Sequence, residues 1–340
     1  MVFVEFRGKA MAQVLRYRSR NLLCHLAGLL VTTICLAQQS EHLQPAPASS
    51  RYPDRVLQAL GGKRPFSPND ISVPHELPLK VLINDRIGIY GLTVNVQVKG
   101  IGNKVLLLDT AGRGLVLKGK PAEGEEIIRA AEWVRSGPGI QTGVFRVFPG
   151  LSHQKLSLAP AVAEIFWDRG FQWIDGILAT EVFEAWIVRL NFRHRKLLLL
   201  PRHAYACLPS QEWPSRLESN WWFVEVEIQG KPACLMLDSG AGRTRVTMRW
   251  LQDSLADRIP PSTHTRRPSP PRASFEAGEC SISIKGYPAF RRPMMGVTDE
   301  QVPALPGIRC DGLLGIDVLK DLVVDLDYKA GKLYLLPRSR

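Results

Sequence analysis

Long hydrophobic runs are nearly absent from this chain. Of its 340 residues, only 22–37 form a sustained apolar stretch, so a bundle of membrane-spanning helices is excluded. Cysteine is scarce, with six in the whole chain. No pair has C-x-x-C spacing and no histidine pair completes a zinc site. None of the seven histidines belongs to an H-E-x-x-H pair, and a G-x-S-x-G nucleophile elbow is missing too. The basic excess, 44 Lys+Arg against 32 Asp+Glu, is scattered and comes with no zinc-finger or RNP-like stretch. A nucleic-acid partner is therefore not expected. Charged residues make up 22% and hydrophobic residues 45%, which suits folded domains, about two at ~150 residues each. The 28 glycines and 25 prolines suit a turn-rich, β-heavy protein.

Arg16, Arg18 and Arg20 precede the apolar stretch, which is short for a span and closes on the small residue Ala37. This pattern predicts a secretory signal peptide over residues 1–37, or an N-terminal anchor if it stays uncleaved. The protein would then be exported, periplasmic or secreted, touching a membrane only through that segment. Cys207, Cys234, Cys280 and Cys310 follow, and an exported compartment permits disulfides as readily as buried thiols. Residues 38–89 carry much Pro, Ser and Ala early on and read as a linker and N-terminal extension.

An internal duplication organises the rest. Residues 175–201 (DGILATEVFEAWIVRLNFRHRKLLLLP) match residues 311–337 (DGLLGIDVLKDLVVDLDYKAGKLYLLP) at a constant offset of 136, with 11 of 27 positions identical. Upstream, LTVNVQVKGIGNKVLLLDTAG matches WFVEVEIQGKPACLMLDSGAG, with the two acids at an offset of 129. Each upstream unit opens with period-two alternation and turns at glycine. It then runs through an apolar strand into an acid and a hydroxyl, Asp109-Thr110 and Asp238-Ser239. Two lobes of one design follow, residues 90–201 and 220–337, joined by a linker at 202–219. Asp-Gly turns and core strands account for most of the pattern. They leave unexplained a carboxylate at the end of a buried strand in each lobe, which is costly unless paired.

Apolar-apolar-Asp-Thr/Ser-Gly, followed by apolar-apolar-Gly before a short helix, resembles the aspartic peptidases, retropepsin-like units fused as in the pepsin-like arrangement. The resemblance covers nearly all of residues 90–337. It implies an all-β protein of two pseudo-symmetric β-barrel lobes with a short helix after each Asp-Gly motif, working as a monomer. Asp109 and Asp238 would be a catalytic dyad within hydrogen-bonding reach, sharing one proton. Thr110 and Ser239 would brace it across the lobes, with Ala111 and Gly240 beside it. A peptide or protein is the implied substrate, with no metal and no organic cofactor. The first lobe departs twice: Ala111 and Ala179 stand where the pattern has glycine. The expected consequence is a dyad slowed by the Ala111 methyl and by strain if its φ is positive, so that Ala111→Gly raises kcat. The departures also leave open a pseudo-peptidase that binds extended peptides without cutting them, or a β-rich scaffold. A hairpin around Trp133 is the expected flap, and the basic, Pro-rich residues 259–273 read as a solvated loop.

Overall fold

The computed structural model describes residues 52, 54–84, 88–119, 127–130, 143–166, 174–206, 211–256, 275–285, 287–297, 302 and 307–336. The leader segment, the hairpin around Trp133, Cys207 and residues 259–273 lie outside them. The described chain is mostly β-sheet. Among these residues no helix is long and apolar enough to cross a membrane.

Each half carries five strands in one order and with one set of directions. In the first half the strands Gly88–Val98, Gly102–Asp109, Gly176–Ala179, Leu115–Lys118 and Ala161–Phe166 are neighbours in that order. The successive pairings are antiparallel, parallel, antiparallel and parallel. The second half repeats this with Trp221–Ile228, Lys231–Leu237, Gly312–Leu314, Arg245–Thr247 and Phe290–Val297. Here Phe275–Ser283 pairs with both the last and the first of these strands, closing the sheet on itself.

The Asp-Gly pairs are the joints of this design. Gly176 and Gly312 start the short strands that slide between two others. A Cβ on either would lie 2.0 Å from a neighbouring main-chain oxygen, that of Val116 or Arg245, so no other residue fits. The acids before them are structural. The Asp175 carboxylate accepts the Val105 N–H at 2.8 Å and the Asp311 carboxylate accepts the Cys234 N–H at 2.9 Å. A short helix follows each short strand, a 3-10 turn at Thr180–Phe183 and an α-helical turn at Ile316–Leu319.

The halves meet strand to strand. Ile187–Asn191 lies antiparallel to Val323–Asp327, with Arg189 opposite Asp325. These two residues correspond at the repeat offset of 136, so a local twofold axis passes through the pair. Arg189 holds Asp325 with two bonds of 2.7 and 2.8 Å, and the Tyr205 hydroxyl donates to the same carboxylate at 2.6 Å.

Within the spans read as linkers, residues 54–84 and 211–219 hold more structure than that reading allows. An α-helix spans Asp54–Ala59, and the strand His75–Asn84 joins Lys196–Leu200 to Gly88–Val98. Leu77 and Leu79 are buried there while Glu76 lies exposed. Pro78 masks this alternation in the sequence, since proline argues against a central strand. Likewise Ser215–Glu218 pairs with Trp221–Ile228, and Trp213 is buried with its indole N–H on the Glu225 carbonyl.

Candidate active site

Asp109 ends the strand Gly102–Asp109, and Asp238 follows Lys231–Leu237. Both are buried, at 1% and 3% exposure, so their charges cannot be solvated by bulk water. The next residues lock the two strand ends together. The Thr110 hydroxyl donates to the Leu237 carbonyl and the Ser239 hydroxyl to the Leu108 carbonyl, each at 2.8 Å. In return the Ser239 N–H donates to the Thr110 hydroxyl at 2.9 Å and the Thr110 N–H to the Ser239 hydroxyl at 3.1 Å. Every one of these bonds maps onto a partner at the offset of 129. Satisfied buried polar networks of this kind rigidify what they hold.

The exchange brings Asp109 against the opposite loop. A Cβ built on Gly240 would sit 3.0 Å from the Asp109 carboxyl carbon, and one on Gly112 would sit 3.3 Å from it on the near side. Glycine at both positions lets backbone close on the carboxyl. Each acid also accepts an N–H from its own loop at 2.8 Å, from Ala111 onto Asp109 and from Ala241 onto Asp238. The Asp238 carboxyl is held well above the usual carboxylate range. Burial is the main cause and the charge of Asp109 the second, partly offset by Arg245 and by the N–H groups of Ala241 and Gly240.

That shift has a measurable sign. A carboxyl whose folded pKa exceeds its unfolded value binds more protons folded than unfolded, so stability falls as pH rises from about 4 toward the raised value. Asp238→Asn should flatten that slope and raise the urea midpoint at neutral pH above wild type, while the two converge near pH 4. Paired urea titrations at about pH 5 and pH 7.5 check it; a midpoint for the variant below wild type at neutral pH would refute it.

Both first-lobe departures have a structural account. The Ala111 backbone does not adopt a positive φ, so the expected strain is absent and its N–H remains on Asp109. Its methyl is buried in a second-lobe cluster with Trp221, Phe223, Met236 and Leu313. That removes the reason to expect a faster Ala111→Gly enzyme: the glycine loses buried contact instead. At the second departure, the position of Gly315 has no room for a Cβ, which would meet the Arg243 and Thr244 backbone at 2.4 to 2.8 Å. In the first lobe the glycine has moved to the facing loop. Ala179 donates its N–H to the carbonyl of Gly114, which takes a φ of +56°.

Sequence reasoning passed over several residues that hold the site. Glu181 accepts the Gly114 N–H at 2.7 Å and Asp317 accepts the Thr244 N–H at 2.8 Å, each steadying the loop after an aspartate. They correspond at the offset of 136, and that match was the available signal. Arg113 lays its guanidinium 4.7 Å from the Trp221 ring centre, a cation–π contact between the halves. Among the described residues Cys234, Cys280 and Cys310 are thiols outside any disulfide, and burial pushes Cys234 up to about 11 and Cys310 up to about 12, which disfavours either as a nucleophile. Among the described residues no group of three or more His, Cys, Asp or Glu gathers to hold a metal. No protein-family model matches this chain, and no curated protein sequence matches it either.

Proposed function

We propose that this chain is an exported, single-chain aspartic endopeptidase of retropepsin-like design, with Asp109 and Asp238 as its dyad. The observation that carries the reading is the reciprocal hydroxyl exchange between Thr110 and Ser239. It fixes two buried aspartates at one junction and brings the Asp109 carboxyl against the Gly240 backbone of the other lobe. A structural role for the acids alone leaves this arrangement without a purpose, since a like-charged buried pair destabilises the fold.

In this mechanism the pair carries one proton. Its first and second ionisations belong to the pair rather than to either residue. Asp238, whose pKa burial and the Asp109 charge raise, is assigned the proton, and Asp109 the role of base. Asp109 takes a proton from a water between the carboxyls and the resulting nucleophile attacks the peptide carbonyl carbon. Asp238 donates its proton to the carbonyl oxygen, giving a neutral gem-diol. Collapse of the diol expels the amine, which takes a proton from the pair. Loss of the Asp238 proton at high pH stops the reaction, so activity falls on the alkaline side.

The test is digestion of a denatured protein mixture by the full chain, with and without a transition-state-mimicking aspartic peptidase inhibitor. Inhibitor-sensitive cleavage is expected. Inhibitor binding without cleavage would replace the enzyme by a peptide-binding pseudo-peptidase, and neither binding nor cleavage would leave a scaffold.

A further inference from the structure

The two lobes share a backbone joint and fill it differently. In the first lobe the Asp175 N–H donates to the Val105 carbonyl at 2.8 Å, and the Asp175 carboxylate accepts the Val105 N–H at 2.8 Å. In the second lobe Asp311 and Cys234 make the same two bonds, at 2.7 and 2.9 Å. The residue before each acid is Ile174 in one lobe and Cys310 in the other. Two aliphatic positions of the first lobe are therefore both cysteines in the second.

The backbone there suits a bridge. Leu235 lies opposite Gly312 on parallel strands, which puts Cys234 opposite Asp311 and Cys310 one residue out of register. Strands about 5 Å apart, with a rise of about 3.3 Å per residue, set the two cysteine Cα atoms about 6 Å apart. Disulfides span about 4.4 to 6.8 Å. The side chains share one neighbourhood as well. Cys310 belongs to the cluster of Trp221, Phe223, Met236 and Leu313, and Cys234 packs against that cluster. The Cys310 thiol donates to the Gly312 carbonyl at 3.3 Å and meets the Met236 main chain, so it lies against the strand that carries Cys234. Cys280 is buried in the main core instead. Access is one-sided. Cys234 is half-buried and lines a cavity of about 650 Å³. Arg309, another wall of that cavity, has a side chain 62% exposed, so the cavity opens to solvent. Cys310 is buried.

We propose that Cys234 and Cys310 are joined by a disulfide that braces the strands leading to Asp238 and Gly315, with Cys234 reacting first from the cavity. The oxidant is a small disulfide of the glutathione type. The Cys234 thiolate attacks one of its sulfurs, forming a mixed disulfide and releasing one thiol. Cys310 loses its proton to solvent and attacks the Cys234 sulfur, releasing the second thiol. Two protein thiols are oxidised and one small disulfide is reduced to two thiols. Burial raises both protein thiols, which slows the exchange without stopping it: at about pH 8.5 a thiol at about 11 is ionised in about one molecule in three hundred, and a high-pKa thiolate is the better nucleophile. The same burial makes the product durable, because labile disulfides owe their oxidising power to a stabilised thiolate. The bridge is independent of the peptidase reading.

The test starts from the reduced, folded full chain. It is held in oxidised glutathione at about pH 8.5, near the pKa of an ordinary thiol, then unfolded, alkylated and mapped by mass spectrometry without reduction. One linked pair of peptides should carry Cys234 and Cys310, with Cys280 alkylated. Oxidation should raise Tm by roughly 5 to 15 °C, the yield of one disulfide closing a long loop in a chain of this size. Cys310→Ser should lose the link and the Tm gain and leave glutathione on Cys234; Cys310→Ala serves if the serine variant does not fold. Both thiols alkylated, a link to Cys207 or Cys280, or glutathione stranded on Cys234 in wild type would overturn the pairing. A link with no gain in Tm would overturn the brace.

Discussion

Asp109→Asn and Asp238→Asn should each lower kcat/KM for peptide cleavage by at least about a thousandfold, within the range that a lost general acid or base removes. Either change leaves one carboxyl where the reaction needs a base and a proton donor together. The two variants should differ in a second readout. Asp238→Asn removes a buried carboxyl with a raised pKa and gains stability at neutral pH. Most of the loss should lie in kcat, because the reciprocal Thr110 and Ser239 bonds that shape the cleft remain. Initial rates on one cleavable peptide measure this. Activity surviving Asp238→Asn contradicts the mechanism. Activity surviving only Asp109→Asn would move catalysis to a pair of second lobes from two chains.

That last arrangement meets an obstacle at the axis between the halves. Arg189 faces Asp325 there, and two second lobes would instead set Asp325 against Asp325, a repulsive cross-strand pair. In the single chain Asp325 is fully buried, and the Arg189 side chain is 27% exposed. Removing one partner of a buried pair leaves the other charge uncompensated. Arg189→Met should therefore cost about 3 kcal/mol, the low end for such pairs because Tyr205 still donates to the carboxylate. Arg189→Met with Asp325→Leu should recover most of that loss, since an apolar pair of similar volume needs no charge compensation. Urea unfolding of the single and double variants measures both. A single variant within about 0.5 kcal/mol of wild type, the level of an ordinary surface change, would show that the pair does not hold the halves together.

The duplication was fully legible in the sequence, and with it the two aspartates, their hydroxyl neighbours and the short helix after each Asp-Gly pair. These features repeat at fixed offsets, so each copy vouches for the other. The strand His75–Asn84 has no second copy and carries Pro78, so its buried Leu77 and Leu79 passed for part of a linker. The strands Leu115–Lys118 and Arg245–Thr247 are too short to show a period. Arg245 consequently looked like one more charge in a scattered basic excess. The pairing of Arg189 with Asp325 depends on register between strands far apart in the chain. No local pattern encodes it, although the repeat offset already matched the two positions.

The strain considered at Ala111 is absent for a physical reason. A residue type standing where glycine is usual suggests strain, but strain depends on φ, and here φ is not positive. The side chain found apolar neighbours across the lobe boundary instead.

The most direct measurement is a crystal structure of the full chain with a transition-state mimic whose hydroxyl imitates the gem-diol. The account predicts that hydroxyl within about 3 Å of carboxylate oxygens from both Asp109 and Asp238, the reach of a strong hydrogen bond. A mimic bound elsewhere, or the two carboxyls more than about 10 Å apart and beyond any shared water, would contradict it.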